Sequence, residues 1–457
     1  MSEPSAPAAT TTPQAAHASP ASMRRVVTAA SLGTVFEYYD FLLYGSLAAF
    51  FGVLFFPPGN ETAGLLASLA TFGAGFAVRP LGALLFGRLG DRVGRKQTFL
   101  ITIVMMGLST ALVGVLPTFE TLGWWAPALL VLLRLTQGLA LGGEFGGAAL
   151  YIAEHCPAER RGYYTAWIQT TGTMGLILSL LVILACRLAL GEEDFREWGW
   201  RVPFLLSVVL LGLSVYVRSK LNESPMFAAL KESGRLSQAP IRESFVEARN
   251  RPRIVAALIV GAVMAVLWYT AQFYTLVFMQ TQLKVDTVTA PLLMSVALLL
   301  GIPLYLWAGA IADRIGRKPV QMAGMLLAAV CIVPVYQAIG ALAPIPPIDS
   351  LGAISLTHLQ VVGLLLLLIF AAGLACGPGA AFMAELFPTR IRYTSLSLPY
   401  HLTSAWFGGF MPFVASALTV RTGDPYAGLW YPVVVAIVCF LLSLKYVPET
   451  VLTKHED

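Results

Sequence analysis

Charge is what this chain has least of. Of its 457 residues only 12% are Asp, Glu, Lys or Arg, while 57% are hydrophobic; an ordinary soluble domain carries roughly 25% charged residues. That shortage excludes water as the main solvent of the fold. Cysteine is scarce too: there are five, an odd number, and Cys186, Cys331, Cys376 and Cys439 lie inside apolar runs. Neither a disulfide framework nor zinc-ligand spacing is present, so the thiols read as small packing residues. No nucleophile constellation, metal cluster or cofactor motif emerges, which argues against an enzyme and against any cofactor. The glycine-rich "GAGFAVRPLGALLFG" lies within an apolar run rather than after a strand, so it is no phosphate loop. The triplet Asn60-Glu61-Thr62 fits a glycosylation pattern that chance supplies often.

Apolar runs are abundant. Crossing a hydrocarbon core about 30 Å thick takes about 20 helical residues, and twelve runs qualify: roughly 27–52, 64–87, 98–116, 125–153, 163–187, 201–219, 254–281, 289–312, 319–339, 358–385, 393–420 and 426–447. The expected fold is an all-α membrane protein with twelve transmembrane helices in two pseudo-symmetric six-helix bundles. The expected domains are a disordered cytoplasmic tail (1–22), an N-terminal bundle (23–219), a cytoplasmic interdomain loop (220–252), a C-terminal bundle (253–447) and a short cytoplasmic tail (448–457). Residues 1–22 lack the apolar core of a signal peptide, so the first helix is expected to act as an uncleaved signal.

Lys and Arg gather on one side of this topology. One set of connections holds Arg24, Arg25, Arg88, Arg92, Arg95, Lys96, Arg160, Arg161, the cluster from Arg218 to Arg253, Arg314, Arg317, Lys318, Arg390, Arg392, Lys445 and Lys454. The other holds only Arg187, Arg196, Arg201, Lys284 and Arg421. Positive loops stay in the cytoplasm, which places both termini there. The net charge of +5 is thus a matter of topology, and no nucleic-acid partner is expected.

The two halves repeat each other. "GRLGDRVGRK" begins at Gly87 and "GAIADRIGRK" at Gly309; "AEHCPAERRG" is echoed by "AELFPTRIRY", and "LNESP" by "VPET". The separations, 222 to 231 residues, are those of a duplicated six-helix unit. Such a parallel repeat places a substrate near the bilayer midplane, between the halves.

Together these features resemble the major facilitator superfamily, whose loop between the second and third helices the decapeptide matches. "EYYDFLLYG", "FAVRPLGALLFGRLGDRVGRK", "RLTQGLALGGEFGGAA", "WGWRVPF" and "AELFPTRIRY" narrow the resemblance to its metabolite:proton symporters, which carry shikimate, 2-oxoglutarate, citrate, or proline and betaine. The resemblance implies a monomeric, multi-pass carrier of the bacterial inner membrane, surrounded by lipid. It would take a small-molecule substrate together with a proton, and the proton gradient would drive it. Two alternatives stay open, a proton-driven exporter and a symporter of a zwitterionic osmolyte. The chain ends at Asp457 without the coiled-coil extension of the proline and betaine carriers, so direct osmosensing is not expected.

Ionisable residues at bilayer depth are costly and therefore candidates for function. Glu37, Asp40 and Tyr44 follow an i, i+3, i+7 spacing and share one helix face, which is expected to line the central cavity. Two carboxylates so close favour holding a proton. Arg79 sits inside the second run and must find an anion, either a substrate carboxylate or a fixed one such as Glu37. Arg134, Gln137 and Glu144 fall on one stripe of the fourth run. Arg134 is a natural partner for Asp40 or Glu37, while the glycines around it could equally be a packing seam. Gln169, Thr170 and Thr173 in the fifth run, and Trp268, Tyr269, Gln272 and Tyr274 in the seventh, could form an orienting pocket. His401, beside Tyr400, is either a second proton site or a packing histidine.

In the decapeptides, Gly87 and Gly94 permit a tight turn and close helix contact. Asp91 and Asp313 can cap a helix, and Arg92, Arg95, Arg314 and Arg317 fix orientation. The resemblance implies a gating latch here. Arg88 stands where the second copy has Ala310, so Asp91 is expected to matter more to turnover than Asp313. Arg160 and Arg161 read as simple topology determinants.

Overall fold

The structure is a computed structural model that describes residues 20–93, 95–143, 145–219, 247–348, 354–388 and 391–451, with positions 243 and 245. Among them helix stands at every expected apolar run, and ordinals below follow those runs. Among the described residues nine helical stretches are long and apolar enough to cross a membrane, or ten if Glu192–Gly199 and Arg201–Tyr216, bent by 59°, form one span. The third helix contributes a shorter apolar stretch, Leu100–Val115.

The first helix (Pro20–Ser46) starts inside the expected 1–22 tail and continues as Ala48–Leu54. The second is broken, Glu61–Ala77 then Arg79–Val93, because Pro80 brings no amide hydrogen to the ladder and its ring crowds the preceding turn. Asn60 caps its start, Oδ1 accepting from the Ala63 amide at 2.9 Å; its role is capping. The fourth helix comprises Trp125–Gly142 and Phe145–His155, the fifth is Arg161–Leu190 and the sixth Arg201–Ser219. In the second half the seventh helix runs from Arg251 to Thr281 through a π-helical turn at Tyr269–Tyr274. The eighth (Thr289–Ile315) and ninth (Arg317–Ala341) follow. The tenth is Leu356–Cys376 with Gly379–Leu386. The eleventh runs from Arg392 to Thr422 with a second π-helical turn at Ser404–Gly409, and the twelfth is Trp430–Tyr446.

Helices pack within each half, first on fifth, third on sixth, and ninth on tenth and twelfth. The halves meet where the fifth helix lies on the eighth and the second on the eleventh. Leu81, Leu85, Val208, Val209, Leu299 and Leu441 are exposed on the outside, where lipid is their solvent, and Trp124 and Trp125 stand exposed where the fourth helix begins, an anchor position.

Glycines set how closely the second and fourth helices approach. A Cβ on Gly138 would overlap the carbonyl of Gly75, and one on Gly142 the carbonyl of Arg79. Gly138 and Gly142 therefore form a backbone-to-backbone seam, as small residues in membrane helices often do. Gly162 and Gly309 make the same kind of approach between the halves.

Candidate functional site

A small cavity lies between the halves. The first half lines it with Tyr38, Arg79, Ile168, Gln169 and Gly172, the second with Met264, Ala265, Trp268, Tyr269, Cys376, Tyr400 and Ser404. In each of the seventh and eleventh helices the lining residues sit where the π-helical turn begins. The extra residue in that turn rotates the side chains that follow, a device common at functional sites.

Arg79 is the one charged residue in this described lining. It is 1% exposed, and its Nε and Nη2 have no hydrogen-bond partner among the described residues. Its guanidinium carbon lies 5.0 Å from the Phe76 ring centroid and 5.9 Å from that of Tyr400. Aromatic faces ease the burial of a cation but do not saturate its N–H groups. The Tyr38 and Tyr400 phenols stand in the same wall, contributed by opposite halves. Gln169 donates from Nε2 to the Cys376 carbonyl at 3.0 Å, which holds its amide at the wall.

The first helix does not present the expected face. Tyr38 lines the cavity, whereas Glu37, Asp40 and Tyr44 do not. A rotation of 100° per residue puts Tyr38 on a different side from Asp40 and Tyr44. The Tyr44 hydroxyl bonds to the Ser68 carbonyl and hydroxyl, both at 3.1 Å. The Asp40 carboxylate faces the sixth helix, where Oδ1 accepts from the Ser207 hydroxyl at 2.5 Å. Among the described residues it has no cationic partner. Glu37 is buried.

Arg134 is not paired with Asp40 or Glu37, which corrects that expectation. It donates to the Phe41 carbonyl at 3.2 Å and to Gln137 Oε1 at 2.5 Å, and Gln137 donates to the Thr110 hydroxyl at 2.9 Å. The rings of Phe41 and Tyr44 lie 4.5 and 4.6 Å from its guanidinium carbon. Gln137 thus belongs to a polar knot inside the first half and not to the cavity. Glu144 lies outside the described residues. His401 is fully buried next to Tyr400, off the cavity lining, and neither ring nitrogen has a partner among the described residues.

Of the pocket residues expected in the fifth and seventh helices, Gln169, Trp268 and Tyr269 are in the wall. Thr173 and Gln272 are not; they bond across the halves, Thr173 Oγ1 to Gln272 Oε1 at 2.8 Å, and Gln272 Nε2 donates to the Tyr305 hydroxyl at 2.7 Å. Thr170 and Tyr274 are buried outside the lining. Beside the Thr173–Gln272 bond, Phe72 stacks on Phe273 at 4.7 Å and 2°, and Phe76 meets Tyr269 edge-on at 5.2 Å. These contacts close one end of the cavity.

The other end, which carries the basic connections, is closed by the second decapeptide. Asp313 accepts from the backbone N–H of Gly162 at 2.7 Å and of Tyr163 at 2.9 Å. Arg317 donates to Asp313 at 2.6 Å and grips Glu385 with two nitrogens at 3.2 and 3.0 Å. Arg161 reaches the same Glu385 at 3.5 Å, so it does more than set topology. Gly316, at φ 109°, makes the turn. Arg314 is exposed. In the first decapeptide Gly87 lies within helix, and no described atom stands within 4 Å of where its Cβ would be, so it makes neither a turn nor a close contact. Gly94 and the side chains of Asp91, Arg92 and Arg95 lie outside the described residues.

Sequence reading missed Tyr38, Gly172, Met264, Cys376 and Ser404. "EYYD" held the signal for Tyr38, a third polar face beside two acids; the π-helical turns have no such mark.

Known proteins share this architecture. The chain is 35% identical over 421 residues to the shikimate transporter of Escherichia coli K12, covering 90% of each. It is 32% identical over 403 residues to the citrate-proton symporter of Salmonella typhi, covering 87% of this chain and 88% of that one. The xylose transporter of E. coli in a partially occluded inward-open conformation superposes with a TM-score of 0.70 over 94% of this chain and 98% of its own, at 19% identity, a likeness of fold. The family model of the Major Facilitator Superfamily matches residues 30–346, more than half of the chain. By this match, and by relatives that share its length, the chain belongs to the Major Facilitator Superfamily.

Proposed function

We propose that this protein is a proton-coupled symporter that brings a small organic acid into the cell across the bacterial inner membrane by alternating access, with both termini in the cytoplasm. Secondary transport and a multi-pass membrane fold come with the family. One observation carries the finer reading: Arg79, a buried guanidinium whose Nε and Nη2 meet no hydrogen-bond partner among the described residues, lines a cavity whose walls come from both halves. Arginine cannot shed its proton, and its planar fork matches a carboxylate. The relatives named for shikimate and for citrate with a proton both point to organic acids.

Asp40 supplies the proton site in this reading. Its carboxylate is buried with a hydroxyl for company and no described counter-ion, and an acidic group at membrane depth is a candidate proton carrier. It stands apart from the cavity, and its charge acts through the packing of the first helix on the sixth. No cofactor takes part; the proton gradient supplies the energy.

The test is uptake into proteoliposomes with an imposed pH gradient. Accumulation should follow the gradient, and Asp40→Asn should abolish accumulation while leaving exchange of substrate across the membrane. Uptake indifferent to the gradient, or an Asp40→Asn variant that still accumulates substrate, would overturn the coupling. Accumulation in everted vesicles alone would reverse the direction.

A further inference from the structure

The next step rests on the organic-acid reading and narrows its substrate. We propose that the substrate is a monocarboxylate built on a single six-membered ring, with its carboxylate on Arg79 and its ring face against Trp268.

Charge count comes first. The described lining carries one formal charge, that of Arg79, and its other polar groups are phenols, an amide, a hydroxyl, an indole N–H and a thiol. A monoanion makes the closed site neutral. A second carboxylate would find no second cation in the described lining, and an unpaired buried charge is the costliest group a cavity can take. A zwitterion leaves the site positive. Aromatic rings can hold its ammonium, but nothing in the lining balances Arg79 once the zwitterion's own charges have cancelled.

Shape comes second. Tyr38, Trp268, Tyr269 and Tyr400 give the cavity flat apolar faces, with Trp268 and Tyr269 set edge to face at 4.7 Å. Gly172 sets the gap between two of these walls. A Cβ there would stand 3.2 Å from Trp268 Cζ2 and 3.5 Å from Tyr38 Cε1, so even alanine presses on the indole, and a larger side chain takes space between the two walls. The neutral polar groups, Gln169 Oε1 and the Ser404 hydroxyl, suit hydroxyls on the ring edge and discriminate by hydrogen bonding without adding charge.

The experiment is ligand-induced stabilisation of the full-length purified protein by shikimate, benzoate, lactate, 2-oxoglutarate, citrate and glycine betaine at equal concentration. Shikimate or benzoate should bind at least about tenfold more tightly than 2-oxoglutarate, citrate or betaine, the cost of burying an uncompensated charge. Arg79→Gln should abolish the shift. Gly172→Ala should weaken ring acids about tenfold through overpacking and leave lactate unchanged; should that variant fail to fold, Trp268→Leu makes the same distinction. Equal binding of citrate, 2-oxoglutarate or betaine, binding of none of the six, or loss of lactate and ring acids alike would overturn the proposal. The first of these leaves organic-acid symport standing, whereas gradient-independent uptake would remove symport and leave ring-acid binding intact.

Discussion

The carboxylate of Asp313, near the end of the eighth helix, caps the fifth helix of the other half at Gly162, 2.7 Å from its amide nitrogen. A negative charge at a helix N-terminus meets both orphan N–H groups and the positive end of the helix dipole. The same carboxylate is held by Arg317 at 2.6 Å, so the cap is fixed in place before the halves meet.

Removing that charge should open the basic end. Charge-assisted hydrogen bonds contribute about 1.5–3 kcal/mol, so Asp313→Asn should shift the equilibrium between open and closed by about tenfold or more. Cys376 in the cavity wall reports it. With Cys156, Cys186, Cys331 and Cys439 replaced by alanine, thiol labelling of Cys376 from the basic side should accelerate in Asp313→Asn while net turnover falls. An unchanged labelling rate would show that the cap does not hold this end shut.

The opposite end should yield more easily. Thr173 and Gln272 share a neutral hydrogen bond of 2.8 Å, worth about 0.5–1.5 kcal/mol, and the stacked Phe72 and Phe273 remain beside it. Gln272→Leu should therefore raise labelling of Cys376 from the opposite side by only a few fold. A larger effect than that of Asp313→Asn on its own side would reverse this ranking.

Gly138→Val should be among the most damaging substitutions away from the cavity. The new side chain would overlap the Gly75 carbonyl, and backbone cannot move aside as a flexible side chain can. Overpacking of this kind costs roughly 3 kcal/mol and should lower Tm or abolish recovery from the membrane. Gly212→Ala is the control: nothing lies within 4 Å of its Cβ position, so the change should be neutral or stabilise the helix by about 0.5–1 kcal/mol. Similar losses in both variants would remove the seam as the cause.

Much of the fold was legible because lipid imposes a coarse rule. Long apolar runs and basic loops mark helices and the end they share, and the duplicated decapeptide marks two halves. Arg79 could be found in the same way, since a guanidinium in an apolar run must have a use. The side of the first helix was not legible. Asp40 and Tyr38 stand two residues apart, both polar, and only packing shows that one meets Ser207 while the other shares the cavity wall with Tyr400. Arg134 teaches the same lesson, since an ion pair with Asp40 was the simplest expectation and aromatic rings and Gln137 took its place.

By itself the sequence determined the family, the helices, the two halves and the presence of a cation at depth, because each of these is written in composition, spacing or repetition along one chain. Tertiary structure decided which residues face each other across the halves. The cavity wall joins Tyr38 to Tyr400 and Gln169 to Cys376, and the latch joins Gly162 to Asp313. Those pairs are far apart in the chain, and their meeting depends on helix rotation, on glycine seams and on two π-helical turns. Periodicity read one helix at a time does not contain that information.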